Sequence, residues 1–190
     1  ERSSVVAKDD CVKELFFFAL EQHLPFLLLA TSKVCVPQDI GNAALACVYA
    51  EFKGNMEPFI SAVAGRLFSP NNVMHNAKPQ AWSNLIYACG KLVDLAGGKI
   101  SVLGKDVGVI LQEGAGAMAG AVKGPIKPTA QNLTNTLWGL AHFEWYDDGV
   151  IRELSSAFVQ GIKSSTPQSV ANVLWALYTL GWYEGGVYDE

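Results

Sequence analysis

TPQSVANVLWALYTLG, residues 166 to 181, sets Pro-Gln, then Ala-Asn, then Leu-Trp-Ala-Leu in a fixed order. The order recurs upstream as TAQNLTNTLWGLAHF (129–143), KPQAWSNLIYACGKL (78–92) and VPQDIGNAALACVYAEF (36–52). Gln and Asn keep one spacing throughout: Gln38 with Asn42, Gln80 with Asn84, Gln131 with Asn135, Gln168 with Asn172. These pairs start 42, 51 and 37 residues apart. A period in that range marks stacked repeats rather than one globular core.

Each copy reads as a helix. Pro is tolerated in a first helical turn, where its missing N–H has no partner in any case. Pro37, Pro79 and Pro167 take that place, and Ala130 takes it in the third copy. Thr129 and Thr166 stand just upstream as caps. We number each copy from the Pro (or Ala130) as position one. Positions four, eight and eleven are then Ile40-Ala44-Cys47, Trp82-Ile86-Cys89, Leu133-Leu137-Leu140 and Val170-Leu174-Leu177. That i, i+4, i+7 stripe is the pattern of a helix buried on one side. Positions five and ten are small, which lets a neighbouring helix come close. Position nine is large: Leu45, Tyr87, Trp138 and Trp175. Second helices are expected over 58–68, 105–122 and 147–163. The spacing predicts an all-α chain, an α-solenoid of antiparallel helix pairs. It has about four repeats (37–78, 79–127, 128–166, 167–190) and a partial preceding helical unit over 1–36.

Composition agrees. Half of the 190 residues are hydrophobic and the net charge is −4, without the bias of a disordered chain. The run LFFFALEQHLPFLLLA (15–30) is interrupted by Glu21, Gln22, His23 and Pro25. It falls short of the roughly 18 uninterrupted apolar residues of a membrane span, so a buried helix kinked near Pro25 is expected. The chain starts at Glu1 rather than Met and ends after a Gln-Asn helix without its partner. It reads as a piece of a longer or processed protein.

Pro-Gln-x-x-Ala-Asn-x-Leu-Trp-Ala-Leu followed by Leu-Gly resembles the octotricopeptide repeat, a family of organellar helical-repeat RNA-binding proteins. Residues 167–181 match closely and 130–143 match with Ala130 for Pro and Gly139 for Ala. Residues 79–92 carry Tyr87 for Trp, and 37–52 carry Leu45 for Trp. The resemblance covers about residues 31–190. It implies an organellar protein, placed in a mitochondrion ahead of a chloroplast, that binds single-stranded or ribosomal RNA. The implied roles are RNA stabilisation, processing or translation, or holding ribosomal RNA beside neighbouring proteins of a ribonucleoprotein complex.

The repeated residues are expected to be structural: Gln38, Asn42, Gln80, Asn84, Gln131, Asn135, Gln168 and Asn172. The Asn would bond the backbone of the adjoining unit and the Gln would cap its own helix. Trp138 and Trp175 are expected to be buried between helices. A base reader should vary between units. Position three varies (Asp39, Ala81, Asn132, Ser169), as do position seven (Ala43, Leu85, Thr136, Val173) and position thirteen (Tyr49, Lys91, His142, Thr179). Positions three, six, ten and thirteen share one helix face. The candidate RNA-binding residues are therefore Asp39, Asn132, Thr136, His142 and Ser169, with the lysines Lys78, Lys91, Lys123 and Lys127. Residues 78–127 carry six lysines against Asp94, Asp106 and Glu113, whereas 128–190 carry Arg152 and Lys163 against seven acids. Phosphate contact is expected from the first of these stretches. These polar positions read equally well as a plain solvated surface.

Catalytic patterns are thin. Gly114-x-Gly116-x-x-Ala119 is a loose dinucleotide fingerprint without the strand and βαβ unit it needs, and reads instead as a close-packed glycine-rich helix or an insertion. Cys47 and Cys89 share one repeat position inside the apolar stripe, so they read as core. Cys11, Cys35, His23, His75 and His142 show no ligand spacing. We expect no enzyme, metal, cofactor, membrane or small-molecule substrate. The alternative to an RNA binder is a protein-binding solenoid subunit of a large complex, which the acidic total favours.

Overall fold

The computed structural model describes residues 36–68, 72, 74 and 76–182. The unit expected before residue 36, the apolar run, and Cys11, Cys35, His23 and His75 lie outside them. The described residues form seven α-helices with two short 3-10 turns and no strand. In chain order the helices are α1 (Pro37–Tyr49), α2 (Glu57–Leu67), α3 (Pro79–Leu95), α4 (Val107–Lys123), α5 (Ala130–Ala141), α6 (Asp148–Gln160) and α7 (Pro167–Thr179).

The starts follow from side-chain chemistry. Pro37, Pro79 and Pro167 each open a helix. The Thr129 hydroxyl accepts from the Asn132 N–H at 3.2 Å, and that of Thr166 from the Ser169 N–H at 3.1 Å. Asp147 does the same for α6, accepting from the Val150 N–H at 2.9 Å. Each cap satisfies one of the N–H groups that a helix start leaves without a partner.

The helices pack in two rows. In the first row α1 lies on α3, α3 on α5 and α5 on α7. In the second row α2 lies on α4 and α4 on α6, while α4 also packs on α3 and α6 on α5. The first-row helices run parallel and in register. Position three of α5 reaches position five of α3, with Asn132 Nδ2 donating to Ser83 Oγ at 3.0 Å. Near the other end of the helices, position-nine rings of adjacent helices meet. The small residues make the approach possible. A Cβ on Gly41 would stand 2.8 Å from the Ala81 carbonyl oxygen, and one on Gly139 would stand 2.7 Å from that of Ile86. Only glycine fits backbones that close.

The apolar stripe fills the space between the rows. Ile40, Ala44, Cys47, Trp82, Ile86, Cys89, Leu133, Leu137 and Leu140 are all buried. Fully burying a Leu or Ile stabilises by about 1.5–3 kcal/mol. The stripe fails on α7, where Leu174 is 63% exposed. The long 51-residue spacing is spread over the unit rather than gathered in the glycine stretch. α3 and α4 have 17 residues each, and a 3-10 turn, Ile100–Leu103, stands between them. That turn is anchored: Leu103 is buried and the Met56 N–H donates to the Val102 carbonyl at 2.8 Å. No described helix is long and apolar enough to cross a membrane.

Candidate nucleic-acid interface

Packing through the small positions five and ten turns positions two, six, nine and thirteen outward. Their i, i+4, i+7, i+11 spacing makes one face of each first-row helix. Four such stripes lie side by side: Gln38-Asn42-Leu45-Tyr49, Gln80-Asn84-Tyr87-Lys91, Gln131-Asn135-Trp138-His142 and Gln168-Asn172-Trp175-Thr179.

The amides pair with each other. Gln38 Nε2 donates to Asn42 Oδ1 at 3.0 Å, Gln131 to Asn135 at 2.7 Å and Gln168 to Asn172 at 2.9 Å. This differs from the expectation that Asn bonds the adjoining backbone and Gln caps its own helix. One turn of separation brings the two amides together on the open face, and each pair keeps further donors and acceptors for a ligand. Asn84 is the exception, being buried between α1 and α3, where it lies against Gly41.

The rings make a row. Tyr87 and Trp138 have centroids 5.1 Å apart, and Trp138 and Trp175 6.1 Å. His142 fits between the two indoles, 3.8 Å from Trp138 and 5.1 Å from Trp175. The Lys91 ammonium lies 4.1 Å from the Trp138 centroid and 5.8 Å from that of Tyr87. Asp94 joins α3 to α5, 3.6 Å from Lys91 Nζ and 3.2 Å from His142 Nδ1. His142 Nε2 is buried with no hydrogen-bond partner. Burial lowers the His142 pKa from its ordinary 6.5; Asp94 pulls it up and Lys91 pushes it down.

Trp175 corrects the expectation of buried indoles. It is 42% exposed, because it stands on the last described first-row helix and no other described helix covers it. Trp138 is half-buried among its neighbours.

Other candidates are placed as follows. Asn132, Thr136 and Ser169 are buried, so they do not stand on the open face. Asn132 Oδ1 accepts from the Thr129 N–H at 3.1 Å, and the Thr136 hydroxyl donates to the Asn132 carbonyl at 2.9 Å. Ser169 lies 3.1 Å from the Thr166 hydroxyl. Position three is the third residue of a capped helix, and capping draws its side chain back to the helix start. Asp39 is exposed but used the same way, accepting from the Val36 N–H at 3.0 Å. Lys123 is in the second row, paired with Glu153 of α6 at 2.9 Å. Lys78 immediately precedes α3 without a side-chain capping bond, and Lys127 stands two residues before the Thr129 cap of α5, both exposed at the N-terminal rim of the row. Lys78 also borders a cleft of about 550 Å³ with Gln38, Asn42 and Gln80. The structure thus gathers Lys78, Lys91, Lys127 and His142 along the first row.

The remaining motifs resolve into packing. Gly114, Gly116 and Ala119 lie inside α4 and not in a strand-to-helix turn. Cys47 and Cys89 are buried thiols, pushed up to about 11 and about 12 by desolvation. Among the described residues no group of three His, Cys, Asp or Glu is placed to hold a metal ion. Comparisons with family models, with curated proteins and with solved structures each return no match to this chain.

Proposed function

We propose that the protein binds single-stranded RNA along the first helix row, as an α-solenoid of four paired-helix units in an organellar ribonucleoprotein. The units are 37–78, 79–127, 128–166 and 167–190, and we place the protein in a mitochondrion ahead of a chloroplast. The observation that supports this most is the open row of rings. Tyr87, Trp138 and Trp175 stand at one repeat position, with Lys91 over two of them and an amide pair beside Trp138 and Trp175. Stacking on rings tolerates any base, amides hydrogen-bond base edges, and lysines at the rim meet phosphates. The work done is binding: stabilising, positioning or handing on an RNA, with no bond made or broken. The resemblance to octotricopeptide repeats points the same way.

A protein-facing scaffold is the second reading. The net charge of −4 and the acidic excess over 128–190 favour it. Titration of a labelled single-stranded RNA with the full chain at several salt concentrations separates the two. Affinity falling linearly with log salt supports the RNA reading. No binding at low salt hands the row to a protein partner.

A further inference from the structure

We infer that the repeated Gln-Asn pair reads the ribose 2′-hydroxyl, so that the first row selects RNA over DNA of the same sequence. The assignment rests on the RNA reading of the row and names the group on the strand that the amides meet. Gln and Asn recur four times at one spacing, while positions three, seven and thirteen change from unit to unit. Bases change along a strand and the sugar does not. A side-chain pair that is the same in each unit suits the part of the nucleotide that is the same at each step. The 2′-hydroxyl is the part of the sugar that tells RNA from DNA.

The pairs carry the right groups. In units one, three and four Gln Nε2 donates to Asn Oδ1, at 3.0, 2.7 and 2.9 Å. That bond orients both amides. It leaves Gln Oε1 as an acceptor and Asn Nδ2 as a donor, neither with another partner among the described residues. A hydroxyl both donates and accepts, so a single 2′-OH matches the two. Unit two offers Gln80 alone, exposed and with its side-chain amide unbonded among the described residues. The openness of the amides does not come from the end of the row. Gln131 is exposed with α3 packed on one side of α5 and α7 on the other. A further unit stacked beside α7 would leave it so.

Placement along the helix agrees. The ring at position nine lies three residues past the Asn, about 4.5 Å of helix axis, and the Gln lies four residues before the Asn, about 6 Å. Along α5 the order is Trp138, Asn135, Gln131 and, at the rim, Lys127. Ring, amides and lysine follow one another as base, ribose and phosphate do in a nucleotide.

The test titrates the full chain into fluorescein-labelled single strands of one mixed sequence: RNA, DNA with deoxyuridine for uridine, and 2′-O-methyl RNA. The strands differ only at the 2′ position. RNA should bind at least about tenfold more tightly than DNA, because each pair makes a hydrogen bond that deoxyribose cannot. The 2′-O-methyl strand has no 2′ donor and should bind about as DNA does. Gln38→Ala, Gln131→Ala and Gln168→Ala combined should bring RNA down to the affinity of DNA. The unfolding temperature should hold, because alanine's helix propensity offsets the small worth of each pair to its helix. Equal affinity of the native chain for RNA and DNA, both falling with salt, overturns this inference and leaves the row a binder of single strands. A triple variant that weakens RNA and DNA by the same factor overturns it too, and returns the amides to base edges or to the helix. No binding of any strand at low salt overturns the RNA reading itself, and this inference with it.

Discussion

The Lys91 ammonium sits 4.1 Å from the centroid of the Trp138 ring, across the boundary between α3 and α5. Lys91 is at position thirteen of one unit and Trp138 at position nine of the next. A side chain of one repeat therefore completes the surface of its neighbour. The contact is partly open to water, with the Lys91 side chain 34% exposed. Its net worth to folding is about 0.5–1 kcal/mol.

Lys91→Ala should therefore cost little stability and much more RNA affinity. A lysine is a mobile point charge, suited to phosphate rather than to a particular base. Its loss should weaken all RNA sequences about equally and reduce the single-strand salt slope by about 0.7. Anisotropy titrations at four salt concentrations measure both quantities. A change in base preference with the slope intact would make Lys91 a base reader.

Trp175 and Trp138 should separate folding from binding. Trp138 is half-buried against Lys91, Tyr87, His142 and Trp175, so Trp138→Ala should cost about 2–4 kcal/mol in urea unfolding. Trp175 is 42% exposed, and its truncation should cost about half of that or less. Its ring is free to stack on a base, which is worth about 1–3 kcal/mol of affinity. A Trp175→Ala protein that unfolds much earlier but binds RNA unchanged would return this indole to the core.

Much of this was legible because helix starts and buried stripes are written locally. The Pro, the Thr caps and the position four-eight-eleven pattern locate α1, α3, α5 and α7, and the second helices lie within a few residues of their expected spans. Which face stays open was harder to read, because it depends on how closely helices approach. The small residues at positions five and ten, with Gly90 at position twelve of α3, carry that information. Gly41, Gly90 and Gly139 mark the contact side and leave positions two, six, nine and thirteen outside. Variability misdirected the choice of Asn132 and Ser169, whose alternation reflects different ways of capping a helix. The exposure of Trp175 follows from the lack of a described helix on its far side, which no local pattern encodes.

Asn132 joins three structural roles. It accepts from the Thr129 N–H, its own N–H donates to the Thr129 hydroxyl, and its amide donates to Ser83 across α3 and α5. Asn132→Ala removes the side-chain bonds and leaves Ser83 with one buried contact fewer. A loss of about 1–3 kcal/mol is expected. Base preference at saturating protein should not move. A variant of native stability with altered RNA specificity would restore Asn132 as a reader.

The glycines of α4 should respond in opposite directions. A Cβ on Gly114 would stand 2.8 Å from the Trp82 ring and 2.9 Å from Ile86, both in the core. Gly114→Ala should destabilise by about 1–3 kcal/mol through overpacking. Gly116 and Gly120 have nothing within 4 Å of the same atom. Replacing either by Ala should stabilise by about 0.5–1 kcal/mol, because alanine loses less backbone freedom in a helix. Thermal unfolding of the three single variants gives the signs directly. Three equal responses would mean that α4 is not seated on α3 as described.

His142 should make stability depend on pH in the acid direction. Burial lowers its folded pKa below the ordinary 6.5, against the pull of Asp94 and with the push of Lys91. Below pH 6.5 the unfolded chain then takes up a proton that the folded chain still refuses. The unfolded state holds more protons, so stability falls as pH falls through this window and is fully present above it. His142→Phe keeps a ring beside Trp138 and Trp175 but removes the titration. Urea midpoints from pH 7.5 to 5.0 should drop more steeply for the native chain than for this variant, with parallel curves above about pH 7. The difference between the two chains cancels the other histidines, which titrate in both. A native chain that gains stability over the variant on acidification would mean that Asp94 outweighs burial, with imidazolium as the folded form. The Asp94 bridge between α3 and α5 would then be an ion pair rather than a neutral hydrogen bond.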